Sequence, residues 1–179
     1  MVKLFIKKDV KYCVGFIITI SLWVFIRAGE LSGFSLLNPL LLISLSYIAM
    51  IIDIKTKRVP NKLVLVMTAV WFFMMVASLL IDIKSGVTSL IDSMYGFLTG
   101  GGLFLLVYVI SRKGLGGGDV KFMAAAGLYL GFAGTIPAIL YGTMIAAITG
   151  LILVMLKKID RKATMPLVPF LFIGIILTL

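Results

Sequence analysis

The stretch LLNPLLLISLSYIAMIID, residues 36–53, decides the fold of this chain. Residues 36–52 carry no charge, and Asp53 follows directly at the end of the run. A helix that crosses a membrane needs about 20 mainly apolar residues, so this run is typical of a spanning segment. The whole chain has the same character, since 61% of its 179 residues are hydrophobic, 13% are charged and its mean hydropathy is +1.19. This composition excludes a water-soluble globule with a charged exterior.

Similar apolar runs recur along the chain. We therefore predict an all-α fold, a polytopic transmembrane helical bundle of about six to seven spans, in which residues 1–179 form a single domain. The fifth run is short and rich in Gly and Ala, and the last opens with Pro166 and Pro169, so the sequence leaves open whether these two cross fully. The predicted spans are residues 12–28, 36–52, 63–81, 90–111, 120–135, 136–156 and 165–179.

The Lys and Arg residues fall almost entirely between alternate spans. Short cytoplasmic loops carry an excess of Lys and Arg, so this pattern predicts a cytoplasmic N-terminus and seven crossings. Of the 17 basic residues, only Arg27 and Lys84 are predicted on the outer side. The predicted inner set is Lys3, Lys7, Lys8, Lys11, Lys55, Lys57, Arg58, Lys62, Arg112, Lys113, Lys121, Lys157, Lys158, Arg161 and Lys162.

The net charge of +10 does not indicate a nucleic-acid partner. The charges form short clusters beside the spans instead of one continuous basic face. Such clusters favour the anionic headgroups of membrane lipids as partners.

Missing residue types exclude several kinds of chemistry. The chain contains no His, which excludes His-based zinc sites, Ser–His nucleophile pairs and imidazole relays. A single cysteine, Cys13, excludes an intrachain disulfide and a multi-cysteine metal site. An intramembrane hydrolase with this sequence must use carboxylates or a Ser–Lys pair, and no serine and lysine stand together at the mouth of a helix in a way that favours the second. We expect neither a metal nor an organic cofactor.

Two aspartates stand out by their position. Asp119 begins a span within GGGDVK, residues 116–121, and Asp53 ends another. On the predicted topology, both carboxylates lie at the cytoplasmic interface. Each has an ordinary alternative role, because an Asp readily caps a helix that follows it, and an acid near Lys55 can be a solvated member of a charge cluster.

Together, the two aspartates indicate a hydrolytic pair. Two neighbouring carboxylates that share a proton hydrolyse a peptide bond, one by activating water and the other by donating to the carbonyl oxygen. Glycines beside one of them let a substrate backbone approach closely. For Lys121, which does not share a helix face with Asp119, lipid anchoring is the alternative to substrate contact. The candidate catalytic residues are Asp53 and Asp119, and the candidate substrate-binding residues are Gly116, Gly117, Gly118 and Lys121.

The motifs around the two aspartates also have a family likeness. Asp53 is followed by Val59-Pro60-Asn61, and after a further pair of spans by GGGDVK. The late segments GLYLG, residues 127–131, and MPLVPF, residues 165–170, complete the pattern. This combination resembles the type IV prepilin peptidase family of Gly-x-Gly-Asp intramembrane aspartyl proteases.

The resemblance implies a polytopic enzyme of the plasma (inner) membrane, with Asp53 and Asp119 as catalytic residues facing the cytoplasm. It implies removal of the short basic leader from prepilins or pseudopilins, after a glycine and before the hydrophobic helix. Many bacterial relatives carry an extra cytoplasmic region with paired cysteine motifs that accompanies N-methylation of the new N-terminus. This chain is similar to the short, peptidase-only form, so no separate methyltransferase domain is expected.

A small ion- or proton-coupled transporter is the alternative function, since membrane carboxylates also bind cations. The filament system served and the oligomeric state are left open by the sequence. Asn61 is predicted to cap the third helix, because the second should end before Pro60. Three further acids, Asp82, Asp92 and Asp160, are interpreted as solvated residues in loops or at helix ends.

Overall fold

The computed structural model describes residues 2–27, 36–111, 115–158 and 165–179. These residues form six helices, and no strand occurs among them. In chain order, the helices are α1 (Val2–Arg27), α2 (Leu37–Thr56), α3 (Asn61–Ile81), α4 (Ile83–Ile110), α5 (Gly117–Met155) and α6 (Val168–Thr178).

Four helices, α2 to α5, are long and apolar enough to cross a membrane. The apolar part of α1, Val14–Phe25, and the whole of α6 are shorter. The 11 residues of α6 cover only about 16 Å of a hydrocarbon core about 30 Å thick. The prediction of an all-α, multi-pass membrane protein is confirmed, while α6 alone is too short to span.

Helix α4 begins earlier than its apolar composition predicts. Its predicted start was residue 90, whereas the helix begins at Ile83. Asp82 is its N-cap, and the Asp82 Oδ1 atom accepts a hydrogen bond of 3.0 Å from the backbone N–H of Lys84. Asp82 is exposed as predicted, but it also satisfies one of the backbone donors that a helix start leaves open.

Helix α5 is broken at Gly131. This residue has φ 65° and ψ −174°, a conformation that side chains disfavour and glycine adopts readily. Asp92 of α4 closes the break, because its Oδ1 atom accepts a hydrogen bond of 3.0 Å from the backbone N–H of Phe132. The predicted boundary between two spans at residues 135 and 136 was therefore four residues late. Asp92 is exposed, as its interpretation as a solvated residue predicts, but it lies inside α4 instead of in a loop or at a helix end, and it also accepts this hydrogen bond. Asp160 lies outside the described residues.

The two parts of α5, residues 117–130 (the first arm) and 132–155 (the second arm), run in opposite directions. The first arm starts beside Val59, between α2 and α3. The second arm starts near the end of α6, where Gly134 lies against Thr178. It finishes near the start of α6, where Gly150 lies against Met165. The chain therefore doubles back at the break, and the two arms correspond to the two apolar segments that the sequence distinguished.

Small residues allow the helices around α5 to pack closely. Gly96 of α4 lies directly against the backbone of Gly127 in the first arm. Gly174 of α6 lies directly against the backbone of Ala138 in the second arm. A Cβ atom at either glycine would collide with the main chain of α5. The backbones of α4 and α6 are therefore in direct contact with the backbone of α5 at these points.

The two ends of the bundle differ in charge. We call the end where α2 finishes and α3 and the first arm begin the Asp53 end. The opposite end carries Arg27 and Lys84. This separation matches the predicted partition for the basic residues that the structure describes. The Asp53 end carries Lys55, Lys57, Arg58, Lys62, Lys121, Lys157 and Lys158. The predicted inner residues Arg112, Lys113, Arg161 and Lys162 lie outside the described ranges, and the structure does not describe the side chains of Lys3, Lys7, Lys8 and Lys11.

Candidate active site

Asp53 lies in the last turn of α2 and is almost completely buried, with 2% of its surface exposed. Its Oδ2 atom accepts a hydrogen bond of 3.1 Å from the backbone N–H of Val168, the first residue of α6. The free N–H groups and the positive dipole end of a helix N-terminus favour a carboxylate there. The alternative interpretation of Asp53 as a solvated member of a basic cluster is therefore wrong.

The position of α6 follows from its own sequence. Proline stands in its first turn, at Pro169, where the missing N–H would have no partner inside the helix. Val168, Leu171 and Ile175 are fully buried, so this short helix is held by packing and not by its length. Its packing brings the backbone N–H of Val168 to the end of α2.

Asp119 is the third residue of α5 and is partly exposed. Its Oδ2 atom accepts a hydrogen bond of 3.2 Å from the backbone N–H of Gly116, the N-cap residue. An acid at this position commonly reaches back to the N-cap N–H, as in a capping box. Asp119 thus helps to begin the helix, although Gly116 and not Asp119 is the N-cap. This contact uses one of the two Asp119 oxygens, Oδ2.

Asp53 and Asp119 line the same cleft at the Asp53 end of the bundle. The cleft has a volume of about 380 Å³. The two carboxylates are close enough to interact electrostatically. The structure therefore brings together the two residues that the sequence singled out from separate spans. The cleft is also lined by Lys57, Arg58, Val59, Asn61, Gly116, Gly117 and Gly118.

The three glycines before Asp119 have different surroundings. A Cβ atom at Gly118 would lie 3.2 Å from the Val59 Cβ atom, and one at Gly116 would lie 2.9 Å from Asp119 Oδ2. A Cβ atom at Gly117 would have no atom within 4 Å, so this residue opens into free space. None of the three has a positive φ. The glycines thus provide room and not an unusual backbone conformation.

Lys121 is exposed, and its Nζ atom donates a hydrogen bond of 3.0 Å to Asn61 Oδ1. It is not among the residues that line the cleft, but its partner Asn61 is. The predicted cap role of Asn61 is wrong, because Pro60 is the N-cap of α3 and the Asn61 side chain contacts Lys121 instead. This hydrogen bond between Asn61 and Lys121 connects the start of α3 to the start of α5.

Sequence reasoning missed the backbone donor of Val168 and the contact between Asn61 and Lys121. The sequence drew attention to the proline-containing segment at residues 165–170, which includes Val168, but nothing in it indicated that this segment contacts Asp53. In the described part of the chain, no three His, Cys, Asp or Glu residues are grouped as a metal ion would require. The cleft holds two carboxylates, those of Asp53 and Asp119, together with the basic residues Lys57 and Arg58.

Comparison with known proteins shows that this chain is similar to leader peptidases. Residues 40–154 match the Type IV leader peptidase family. A prepilin leader peptidase/N-methyltransferase of Pectobacterium carotovorum subsp. carotovorum is 31% identical over 166 residues, which are 87% of this chain and 56% of that protein. The protein of the same name from Bacillus subtilis (strain 168) is 29% identical over 86% of this chain and 60% of its own length.

The corresponding Escherichia coli (strain K12) protein is 31% identical over 67% of this chain and 51% of its own length. The chain thus spans between about half and three-fifths of the length of these three relatives. No solved structure matches it significantly. The match to the family extends from α2 into the second arm of α5 and includes both aspartates of the cleft. The predicted family is confirmed: this chain belongs to the type IV leader peptidase family.

Proposed function

We propose that this chain is an aspartyl endopeptidase that removes the short basic leader from type IV prepilins or pseudopilins. The observation that carries the proposal is the meeting of Asp53 and Asp119 in one cleft at one end of the bundle. Membership of the leader peptidase family supports it, as do the names of the relatives. Those names suggest the prepilin substrate, the resemblance of the motifs adds pseudopilins, and the shared cleft supports catalytic roles for Asp53 and Asp119.

In the proposed reaction, Asp53 and Asp119 act as one unit that shares a proton. The ionised carboxylate takes a proton from a water molecule, whose oxygen attacks the carbonyl carbon of the scissile peptide bond. The protonated carboxyl donates to the carbonyl oxygen as the tetrahedral intermediate forms. When the carbon–nitrogen bond breaks, one carboxyl gives a proton to the leaving amine, and a hydroxyl of the intermediate returns a proton to the other carboxylate as the carbonyl re-forms, which restores the shared proton. The titration behaviour belongs to the pair and not to either residue alone.

The surroundings of the pair suit this reaction. The N–H of Val168 and the N–H of Gly116 each occupy one oxygen of a carboxylate, which holds both side chains in fixed orientations. The open space at Gly117 lets an extended substrate backbone lie beside Asp119. Two protein carboxylates and water complete the chemistry, so the proposal includes no metal or organic cofactor.

The proposed location is the plasma membrane, with the cleft facing the cytoplasm and lipid headgroups around the basic residues. The excess of Lys and Arg at the Asp53 end supports this orientation. In a Cys13→Ser background, Lys55→Cys and Leu115→Cys should react only with a thiol reagent supplied from the cytoplasmic side. Ser85→Cys, at the other end, should react only from outside. Reaction of Lys55→Cys and Leu115→Cys from opposite faces would contradict the orientation and separate the two aspartates.

The relatives are named for a second activity, N-methyl transfer. The sequence of 179 residues contains one cysteine and so lacks the paired cysteine motifs that the family likeness associates with that activity. We therefore assign peptidase activity alone to residues 1–179, as one transmembrane domain.

The direct test is co-expression of this chain with candidate prepilins, followed by intact-mass measurement of the substrate. Loss of a leader-sized mass, ending after a glycine, is the expected result. Proton- or cation-driven flux into liposomes that contain the purified protein, with every candidate prepilin left intact, would favour the transporter alternative.

A further inference from the structure

The hydrogen bond of 3.0 Å between Lys121 Nζ and Asn61 Oδ1 lies at the edge of the cleft that holds the two aspartates. Lys121 follows Asp119 by two residues, and Asn61 is the first residue after the turn that links α2, with Asp53, to α3. The two partners are 60 residues apart in the sequence. The bond therefore connects the two chain segments that carry the proposed catalytic carboxylates.

The turn between Asp53 and Asn61 is closed by its own hydrogen bonds. The backbone N–H of Lys57, which has a left-handed φ of 51°, donates a hydrogen bond of 2.7 Å to Asp53 O. The hydroxyl of Thr56 donates a hydrogen bond of 3.0 Å to Arg58 O. Because the turn is short and internally bonded, a displacement of Asn61 is transmitted to the end of α2, where Asp53 lies.

Two contacts with this segment flank Asp119 along the chain. On one side, Val59 is buried, and a Cβ atom at Gly118 would lie 3.2 Å from Val59 N. On the other side, Lys121 donates to Asn61. The packing of Val59 against Gly118 limits how closely the two segments approach each other. The hydrogen bond is directional and short, so it limits how far they move apart.

The hydrogen bonds of the carboxylates themselves do not set this separation. The N–H of Val168 orients Asp53 from α6, and the N–H of Gly116 orients Asp119 from within its own segment. Neither bond joins the two aspartate-bearing segments to each other. Two carboxylates that share a proton depend on their separation, and a misplacement of about 1 Å can lower a rate about 100-fold. The separation therefore needs a contact of its own.

We infer that Asn61 and Lys121 are positioning residues, whose hydrogen bond holds the Asp53 and Asp119 carboxylates at the separation that the reaction requires. The inference rests on the proposed peptidase function and assigns Lys121 a role through Asn61 instead of a contact with substrate. An ammonium group has donors only, so the amide of Asn61 turns its oxygen toward Lys121. Any side chain at residue 61 that presents an oxygen at that point preserves the link.

Steady-state cleavage of one prepilin by the purified full chain tests the positioning role. Asn61→Ala and Lys121→Gln should each lower kcat about tenfold or more and leave KM within about twofold of the parent. The double variant should be no slower than the slower single variant, because both substitutions remove the same bond. Asn61→Asp, which keeps an acceptor for the ammonium group, should restore the parent kcat. Lys62→Gln is the matched control, since it removes a neighbouring base that does not line the cleft.

Cross-linking measures the separation without any need for activity. In a Cys13→Ser background, Asp53→Cys and Asp119→Cys are treated with bifunctional thiol reagents of increasing length. The shortest reagent that joins the two cysteines should no longer do so when Asn61→Ala is added, whereas a longer reagent should. Lys62→Gln should leave the required length unchanged. Labelling by a monofunctional reagent controls for the reactivity of each cysteine.

Several results would overturn the positioning role. A parent-like kcat in Asn61→Ala, losses that multiply in the double variant, or an unchanged cross-linking length would each contradict it. A rise of KM alone in Lys121→Gln would indicate substrate contact by Lys121 instead. If Lys121→Gln does not accumulate, equal kcat values for Asn61→Ala and Asn61→Asp would contradict the link on their own. Failure of the parent to cleave any prepilin would contradict the peptidase proposal, while the cross-linking lengths would still decide whether the bond sets the separation.

Discussion

Asp53 and Val168 are joined by a hydrogen bond of 3.1 Å across 115 residues of sequence, from a side-chain carboxylate to a backbone N–H. The bond connects the last turn of α2 to the first residue of α6, so the orientation of one proposed catalytic group depends on the docking of a short terminal helix. Because the donor belongs to the backbone, the contact is independent of the side chain at residue 168.

This bond predicts that Asp53 has separable structural and catalytic roles. Asp53→Asn keeps an oxygen that can accept from Val168, so its thermal stability should stay close to that of the parent. Asp53→Ala leaves the buried N–H without that acceptor and should lower the free energy of unfolding by about 1–3 kcal/mol. Thermal unfolding of the two purified variants in the same detergent measures the difference. Equal stability of Asp53→Ala and the parent would show that the bond does not hold α6.

Asp119 is proposed to be a catalytic residue as well as a helix-capping residue, and Asp119→Glu separates the two roles. Glu is a favoured residue at this position of a capping box, so the start of α5 should remain intact. The longer side chain moves the carboxylate by about one methylene, and misplacement of about 1 Å can lower a rate about 100-fold. Prepilin cleavage at matched protein levels gives the rate. A parent-like rate in Asp119→Glu would favour the capping role alone.

Gly116 predicts a steric effect on the same carboxylate. A Cβ atom there would lie 2.9 Å from Asp119 Oδ2, so Gly116→Ala should displace the side chain and reduce cleavage about tenfold or more. Gly102→Ala is the matched control, because its Cβ atom would have no atom within 4 Å. Gly100→Ala is unsuitable as a control, since its Cβ atom would lie 2.5 Å from Met123 O. Equal cleavage rates for the Gly116 and Gly102 variants would remove the steric argument.

Asp92 is predicted to contribute to stability and not to catalysis. It accepts from the N–H of Phe132 where the second arm of α5 begins, as a cap supplied by another helix. Asp92→Ala should lower the free energy of unfolding by about 1 kcal/mol, a typical value for a lost N-cap. Asp92→Asn, which keeps an acceptor, should lose less. Cleavage per folded molecule should be unchanged in both variants, and a selective loss of turnover without a loss of stability would contradict this role.

The apolar runs and the distribution of charge were sufficient to predict much of the bundle. The uncharged run before Asp53 and the basic clusters between spans predicted helices α2 and α3 and the concentration of charge at one end. The glycine run before Asp119 predicted the start of the first arm, and the two motifs then predicted that both carboxylates meet. These features are visible because each depends on neighbouring residues in the sequence.

Other features depend on distant contacts and left no local signal. The break at Gly131 lies among many Gly and Ala residues, so its position does not stand out in the sequence. The side chain that accepts a hydrogen bond there, Asp92, belongs to another helix, α4. The donor to Asp53 is a backbone N–H, which every residue except proline possesses, so the sequence did not identify Val168. Asn61 is of a residue type that often caps helices, but the packing of α3 against α5 places Lys121 beside its side chain instead.

The central claim is that Asp53 and Asp119 together cleave a prepilin leader, and its most direct test uses the two Asn variants. The parent, Asp53→Asn and Asp119→Asn are each co-expressed with the same prepilin at matched membrane levels, and the substrate mass is measured. We predict loss of the leader mass with the parent and an intact substrate with both variants, because one remaining carboxylate cannot both activate water and protonate the carbonyl oxygen. Complete leader removal by either variant would contradict the catalytic pair.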